Sequence, residues 1–96
     1  MPRMTGSRAF LHLLAEAGVS RVFGNPGTTE LPLVDALADD RRIEYVLGLQ
    51  EIPVFAQTAA YEMASGGLGV VNLHVSCGLG NAMGMLYNAF REGTPL

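Results

Sequence analysis

The chain has 96 residues and a net charge of -3, with 49% hydrophobic and only 16% charged residues. One small domain is expected from this length, and so apolar a composition predicts that part of its surface is covered by another protein surface. The absence of a basic cluster argues against nucleic-acid binding, and the single cysteine and the lack of a signal-peptide core indicate a reducing, cytoplasmic setting.

Residues 66–90 carry no charge, which raises the question of a membrane span. Six glycines and several polar side chains interrupt the run, and its pattern changes near Ser76. A strand followed by a buried helix explains such a run better than a bilayer helix does. We therefore expect no membrane partner.

Apolar periodicity predicts helices that alternate with strands. Helices are expected over residues 6–17, from 28 or 29 to about 38, 50–65 and 81–91; strands at 22–23, 43–47 and 68–75; a turn at 76–80; and the start of another strand at 94–96. This order predicts an α/β fold of three layers, a parallel sheet with helices on both faces. Because the last strand only begins, the chain is expected to be an incomplete, truncated copy of such a domain.

Caps and apolar stripes refine the helix predictions. Thr5 is expected to cap the first helix, and Thr28 or Thr29 the second. The predicted buried faces comprise Phe10, Leu11, Leu13, Leu14 and Ala17 in the first helix, Leu31, Val34 and Leu37 in the second, and Met83, Leu86 and Phe90 in the fourth. The third helix lacks charge over residues 52–61, so we expect it to be buried on all sides, in an interface.

Three loops, 24–29, 48–51 and 74–80, follow the carboxyl ends of the predicted strands. In a parallel sheet these ends share one edge, which places Thr28, Glu51 and His74 near each other. Glu51 opens an apolar helix, either as a carboxylate favoured by the helix dipole or as a functional acid. His74 is either a core histidine or a site residue, whereas Cys77 is expected to have a packing role.

Two glycine-rich turns bear on nucleotide binding. Residues 24–27 lack the Gly-Lys-Ser/Thr of a P-loop, and Met83 stands where a dinucleotide fingerprint requires its third glycine. Spacing typical of metal ligands is absent from the sequence, so no metal ligand is predicted within it. A flavodoxin-like nucleotide-binding domain remains a distant alternative.

The motifs together carry a family resemblance. Residues 22–32 (VFGNPGTTELP), 49–51 (LQE), 72–74 (NLH) and 78–84 (GLGNAMG) resemble the N-terminal pyrimidine-binding (PYR) domain of thiamine diphosphate enzymes, within which the benzoylformate decarboxylase group is most similar. The resemblance covers nearly the whole chain, and implies the PYR fold for residues 1–96.

The resemblance also implies residue roles. Glu51 would hydrogen-bond N1′ of the cofactor's aminopyrimidine, with a pKa raised by desolvation, and Asn25, Pro26 and Gly27 would bind the cofactor. His74 would handle protons on the substrate-derived adduct. Thr28 stands where the decarboxylase has a serine that contacts the substrate carboxylate, and its extra methyl group narrows the pocket.

The implied reaction is thiamine diphosphate-dependent decarboxylation of a benzoylformate-like 2-oxo acid. The alternatives are a carboligase of the acetolactate synthase type and a non-catalytic, truncated PYR-like module. The family binds Mg²⁺ or Ca²⁺ and the diphosphate in a PP domain of another subunit, within a homodimer or homotetramer. The Gly-Asp-Gly…Asn motif of that domain is absent from this sequence, so the PP and central domains are expected to be missing and the chain alone inactive.

Overall fold

A computed structural model describes residues 3–96. Its elements are α1 (Gly6–Glu16), β1 (Arg21–Asn25), a short 3-10 turn (Thr28–Glu30), α2 (Leu31–Asp39), β2 (Glu44–Leu47), α3 (Glu51–Ser65), β3 (Val71–Leu73) and α4 (Val75–Glu92). The predicted alternation of helices and strands is confirmed.

The sheet has three parallel strands in the order β2-β1-β3. Phe23, at the centre of β1, lies beside Val46 on one side and Val71 on the other. Since all three strands run in the same direction, their carboxyl ends lie at one edge. The loops that carry Asn25, Glu51 and His74 leave from this edge.

Neighbouring side chains of β1 pack on opposite faces of the sheet, as the two-residue period of a strand requires. Val22 packs into a cluster with Leu11, Ala36 and Leu37 of α1 and α2. The ring of Phe23 lies 5.3 Å from that of Tyr61 in α3. A second cluster joins α3 and α4 and consists of Phe55, Ala82 and Ala89. The predicted three-layer α/β architecture is therefore confirmed.

The helix starts differ in how they are capped. Thr5 caps α1 as predicted, because its side chain accepts a hydrogen bond of 3.3 Å from the backbone N–H of Arg8. Before α2, the prediction of a threonine cap is wrong. There the carboxylate of Glu30 accepts from the backbone N–H of Gly27 at 2.7 Å. A carboxylate in the first turn competes well for this N–H because it is charged.

The third strand is shorter than the sequence predicts. Only Val71–Leu73 pair with β1, and α4 begins at Val75, so residues 76–80 are the first turns of a helix and not a turn between elements. Glycine disfavours helix in isolated peptides, which led to the wrong prediction. In the fold Gly78 is buried, and a Cβ atom on it would lie 3.5 Å from Leu73, so the start of α4 packs against the end of β3.

Several predicted buried faces are only partly correct. Leu11 and Leu37 are buried, and Leu14, Val34 and Leu86 partly so, but Ala17, Phe10, Leu13, Leu31, Met83 and Phe90 are exposed. In α3, Val54 and Phe55 are buried whereas Ile52 and Met63 are exposed. Within this chain α3 is therefore buried on one side only, because α3 and α4 form a single layer whose outer side faces away from the sheet. Burial of that outer side in an interface stays a prediction.

The segment after α4 returns toward the sheet. Residues 94–96 form no strand, but the backbone N–H of Gly69 donates to the carbonyl of Pro95 at 3.1 Å. Pro95 thus lies beside the chain that leads into β3. Across residues 3–96, none of the helices combines the length and the apolar character needed to cross a membrane.

Candidate active site

Glu51 is the first residue of α3 and lies at the carboxyl edge of the sheet. Its Oε1 accepts a hydrogen bond of 3.3 Å from the side-chain amide of Asn25, the last residue of β1. Its Oε2 accepts one of 3.2 Å from the amide of Asn81 in α4. One carboxylate therefore joins three elements that meet only in the folded chain.

These contacts favour the ionised carboxylate. The pKa of Glu51 is lowered, first by its own backbone N–H at the start of the helix and then by the Asn81 amide, with a smaller effect of Asn25. Burial acts in the opposite direction and is weaker than the backbone N–H and the Asn81 amide, though stronger than Asn25. The expected rise in the pKa of Glu51 is therefore wrong for this chain, because amide donors at a helix N-terminus outweigh desolvation.

His74 lies between β3 and α4, and its ring meets Glu30. The Nδ1 atom lies 2.9 Å from Oε1 and 3.0 Å from Oε2 of that carboxylate. The His74 side chain is 33% exposed, so it is not an enclosed core histidine. The pKa of Glu30 is lowered, first by the Gly27 N–H and then by the hydrogen bond from His74.

The loop after β1 separates Glu51 from His74 and contacts both. Asn25 holds Glu51, and two residues later Gly27 lies against the imidazole of His74. A Cβ atom at position 27 would overlap that ring, so only glycine fits without displacing it. Pro26, between them, borders an apolar cavity of about 410 Å³ together with Tyr45 and Leu47.

Two other residues singled out from the sequence are exposed. Thr28 begins the 3-10 turn next to Gly27, so the predicted proximity of Thr28 to His74 holds at the level of the backbone. Cys77 lies in the first turn of α4 with its thiol exposed, and the expected packing role is wrong. The next residue, Gly78, is the buried one in this turn and lies against Leu73 of β3.

Sequence reasoning missed two members of this site. Asn81 and Glu30 stand only inside the motifs that carry the family resemblance, and neither is predicted from the sequence to contact Glu51 or His74. A signal for Glu30 did exist, since an acid three residues after Gly27 has the spacing of a capping box. The Asn81 contact gave no local signal, because it depends on how α4 packs against α3.

The comparisons with known proteins agree with this geometry. Residues 4–96 match the family model of the thiamine pyrophosphate enzyme N-terminal TPP binding domain. Benzoylformate decarboxylase of Pseudomonas aeruginosa is 42% identical over 88 residues, which are 92% of this chain and 16% of that protein. The acetolactate synthase large subunit of Lactococcus lactis is 34% identical over 92 residues, 96% of this chain and 16% of that protein.

A solved structure from Mycobacterium smegmatis, provisionally assigned as a thiamin diphosphate-dependent enzyme, has the same fold with a TM-score of 0.91 and 39% identity. The match covers 98% of this chain and 18% of that one. The chain thus spans about a sixth of the length of the curated relatives it matches. By sequence and by fold, the chain belongs to the family of N-terminal TPP-binding domains of thiamine pyrophosphate enzymes.

Proposed function

We propose that this chain provides the cofactor-activating glutamate of an enzyme that uses thiamine diphosphate to decarboxylate a benzoylformate-like 2-oxo acid. The observation that carries the proposal is the position of Glu51. Its carboxylate lies at the ligand-binding edge of a parallel sheet, between Asn25 and Asn81. The imidazole of His74 lies against Gly27, two residues after the Asn25 that contacts Glu51.

The residues present fit an aminopyrimidine ring. An ionised carboxylate can only accept hydrogen bonds, which suits a ring nitrogen that carries a proton. The partners of Glu51 are neutral amides, so its charge is not cancelled by a cation at hydrogen-bond distance within residues 3–96. Asn25, Pro26 and Gly27 would hold the ring beside it.

The division of chemistry follows from these side chains. Thiamine diphosphate, when bound, supplies the electron sink that lets a 2-oxo acid lose CO₂. Glu51 would exchange a proton with the aminopyrimidine nitrogen through its carboxylate. His74 would move protons at the substrate-derived group, and the Thr28 hydroxyl would donate to the substrate carboxylate.

The other half of the proposed site lies in partner domains. The Mg²⁺ or Ca²⁺ ion and the diphosphate would be held by a PP domain of another subunit in a homodimer or homotetramer. Within residues 3–96 there is no group of three or more His, Cys, Asp or Glu side chains placed to hold a metal ion. Ile52 and Met63, on the exposed side of α3, offer apolar surface for such a partner.

A carboligase of the acetolactate synthase type is the second candidate, because acetolactate synthases are also similar to this chain. The higher identity to a benzoylformate decarboxylase and the imidazole of His74 at the site favour the decarboxylase. The third possibility, a PYR-like module without catalysis, would leave the Glu51 carboxylate with a purely structural role.

Product analysis tests the proposal. The full-length protein that carries this chain, supplied with thiamine diphosphate and Mg²⁺, is given benzoylformate or pyruvate. We expect CO₂ and benzaldehyde from benzoylformate and little acetolactate from pyruvate. Acetolactate as the main product would establish the carboligase, and no turnover of either acid would favour the non-catalytic module. The 96 residues alone are expected to give no turnover.

A further inference from the structure

We propose that Glu30 is the positioning residue of His74, whose Nδ1–H it holds so that Nε2 is the ring nitrogen left to exchange a proton. The inference rests on the proton-transfer role proposed above for His74. It adds that Glu30 orients the imidazole and that Nε2 is the ring nitrogen that exchanges the proton.

The contact joins distant parts of the chain. Glu30 ends the 3-10 turn before α2, and His74 precedes α4, 44 residues later. Both carboxylate oxygens lie within 3.0 Å of Nδ1, and the Glu30 side chain is only 13% exposed. The partner of the imidazole is therefore a largely enclosed carboxylate rather than water.

The charge state of Glu30 determines the tautomer. Its pKa is lowered by the N–H of Gly27 and by His74, so the carboxylate is ionised near neutral pH and acts only as an acceptor. Nδ1 must then carry a proton. In the neutral imidazole this leaves the lone pair on Nε2, as a base requires.

Two further contacts restrict the ring and its partner. The Gly27 N–H donates to Oε2 of Glu30 at 2.7 Å, which fixes the carboxylate. The imidazole lies against Gly27, where an added Cβ would overlap it. Glu30 is thus both a loop cap and the partner of the ring, and the experiment must separate these two roles.

Glu30→Gln separates them. The glutamine amide retains one oxygen, which can still accept from the Gly27 N–H. Its NH₂ group would face Nδ1 and favour the opposite tautomer, with the proton on Nε2. Glu30→Ala removes both contacts and reports the loss of the cap. Glu16→Gln, an exposed acid at the end of α1, is the matched control.

The test is a double-mutant cycle of Glu30→Gln and His74→Phe in the full-length enzyme, with benzoylformate as substrate. We expect Glu30→Gln to lower kcat about 100-fold with KM little changed, the scale of one acid–base contribution. In the His74→Phe background it should cause no further loss. Glu30→Asp, which restores a carboxylate, should recover part of the turnover, and Glu16→Gln should leave it unchanged.

An equal loss from Glu30→Gln in both backgrounds would overturn the proposal, as would normal kcat in the single variant. Normal turnover of His74→Phe would overturn the proposed role of His74 together with it. A slow His74→Phe with an unaffected Glu30→Gln would overturn only the positioning role. If Glu30→Gln does not fold, the same cycle is run with Glu30→Asp, for which we expect a smaller loss of kcat that disappears in the His74→Phe background. An equal loss in both backgrounds would overturn the proposal.

Discussion

Glu51 and His74 flank the loop that follows β1, and each is held by a residue from another element. Their positions at one sheet edge were predictable, because the carboxyl ends of parallel strands coincide. Their hydrogen-bond partners were not, since Asn81 and Glu30 are brought in by packing over 30 and 44 residues. The predicted rise in the pKa of Glu51 was wrong for the same reason, because the amide donors that lower it meet the carboxylate only in the folded chain.

The substitution Gly27→Ala should lower the turnover of the full-length enzyme. The added methyl group would overlap the His74 ring and displace it, and a misplacement of about 1 Å can cost about 100-fold in rate. Gly6→Ala is the control, because a Cβ at the start of α1 meets nothing within 4 Å. Steady-state kinetics of both variants provide the comparison, and equal turnover would contradict the account of the loop.

Among the elements, the alternation of helices and strands along the chain followed from the apolar periods, but the junction of β3 and α4 did not. The glycines after His74 lower the helix propensity of this segment, whereas the packing of Gly78 against Leu73 in the folded chain favours the helix. A side-chain contact that spans all three strands also could not be predicted from the sequence. Tyr45 of β2 reaches across Gly24 of β1 and donates to Asn72 Oδ1 of β3 at 2.9 Å.

Tyr45→Phe tests this link between the strands. Loss of the hydrogen bond should lower the free energy of unfolding by about 1 kcal/mol. Burial raises the pKa of Tyr45 to about 12. The unfolded chain ionises this phenol first, so the stability contributed by Tyr45 should fall as pH rises from about 10 toward 12.

Denaturant unfolding of the wild type and Tyr45→Phe across this alkaline range is the measurement. The phenylalanine variant should lose the part of the pH slope that Tyr45 causes. Tyr87→Phe serves as the control, because Tyr87 is 63% exposed on α4. Identical slopes for the wild type and both variants would contradict the raised pKa of Tyr45. Equal free energies of unfolding for the wild type and Tyr45→Phe near neutral pH would contradict the link between the strands.

The molecule as a whole leaves apolar side chains uncovered on several of its helices. Its composition predicts apolar surface that another protein surface covers, and exposed apolar side chains lie on α1, α3 and α4 at Leu13, Met63 and Phe90. Their covering by a partner stays a prediction. The sequence did not predict which apolar residues of each helix are exposed. A 96-residue chain with one helix layer on each face of its sheet leaves one side of each apolar helix uncovered.

Acid should destabilise this fold through carboxylates with lowered pKa values. Arg42 lowers the pKa of Asp40 to about 2, and the pKa values of Glu30 and Glu51 are also lowered. These three carboxylates contribute their full stabilisation at pH values above the ordinary pKa of such groups, about 4 to 4.5. That stabilisation is lost as pH falls toward 2.

Urea unfolding of the chain between pH 6 and pH 2 would record this loss. Asp40→Asn should flatten the lower end of the profile, since the Arg42 contacts to a carboxylate at 2.7 and 2.9 Å are then gone. Asp35→Asn on the exposed side of α2 is the matched control. A profile unchanged by Asp40→Asn would contradict the assignment.

The role proposed for Glu51 can be tested by the turnover of Glu51→Gln in the full-length enzyme with thiamine diphosphate, Mg²⁺ and benzoylformate. Glu44→Gln, at the amino end of β2, is the control for the same chemical change away from the site. We predict that Glu51→Gln keeps its fold but loses at least about 100-fold in kcat, while the control stays near wild type. Near-normal turnover of folded Glu51→Gln would contradict the account.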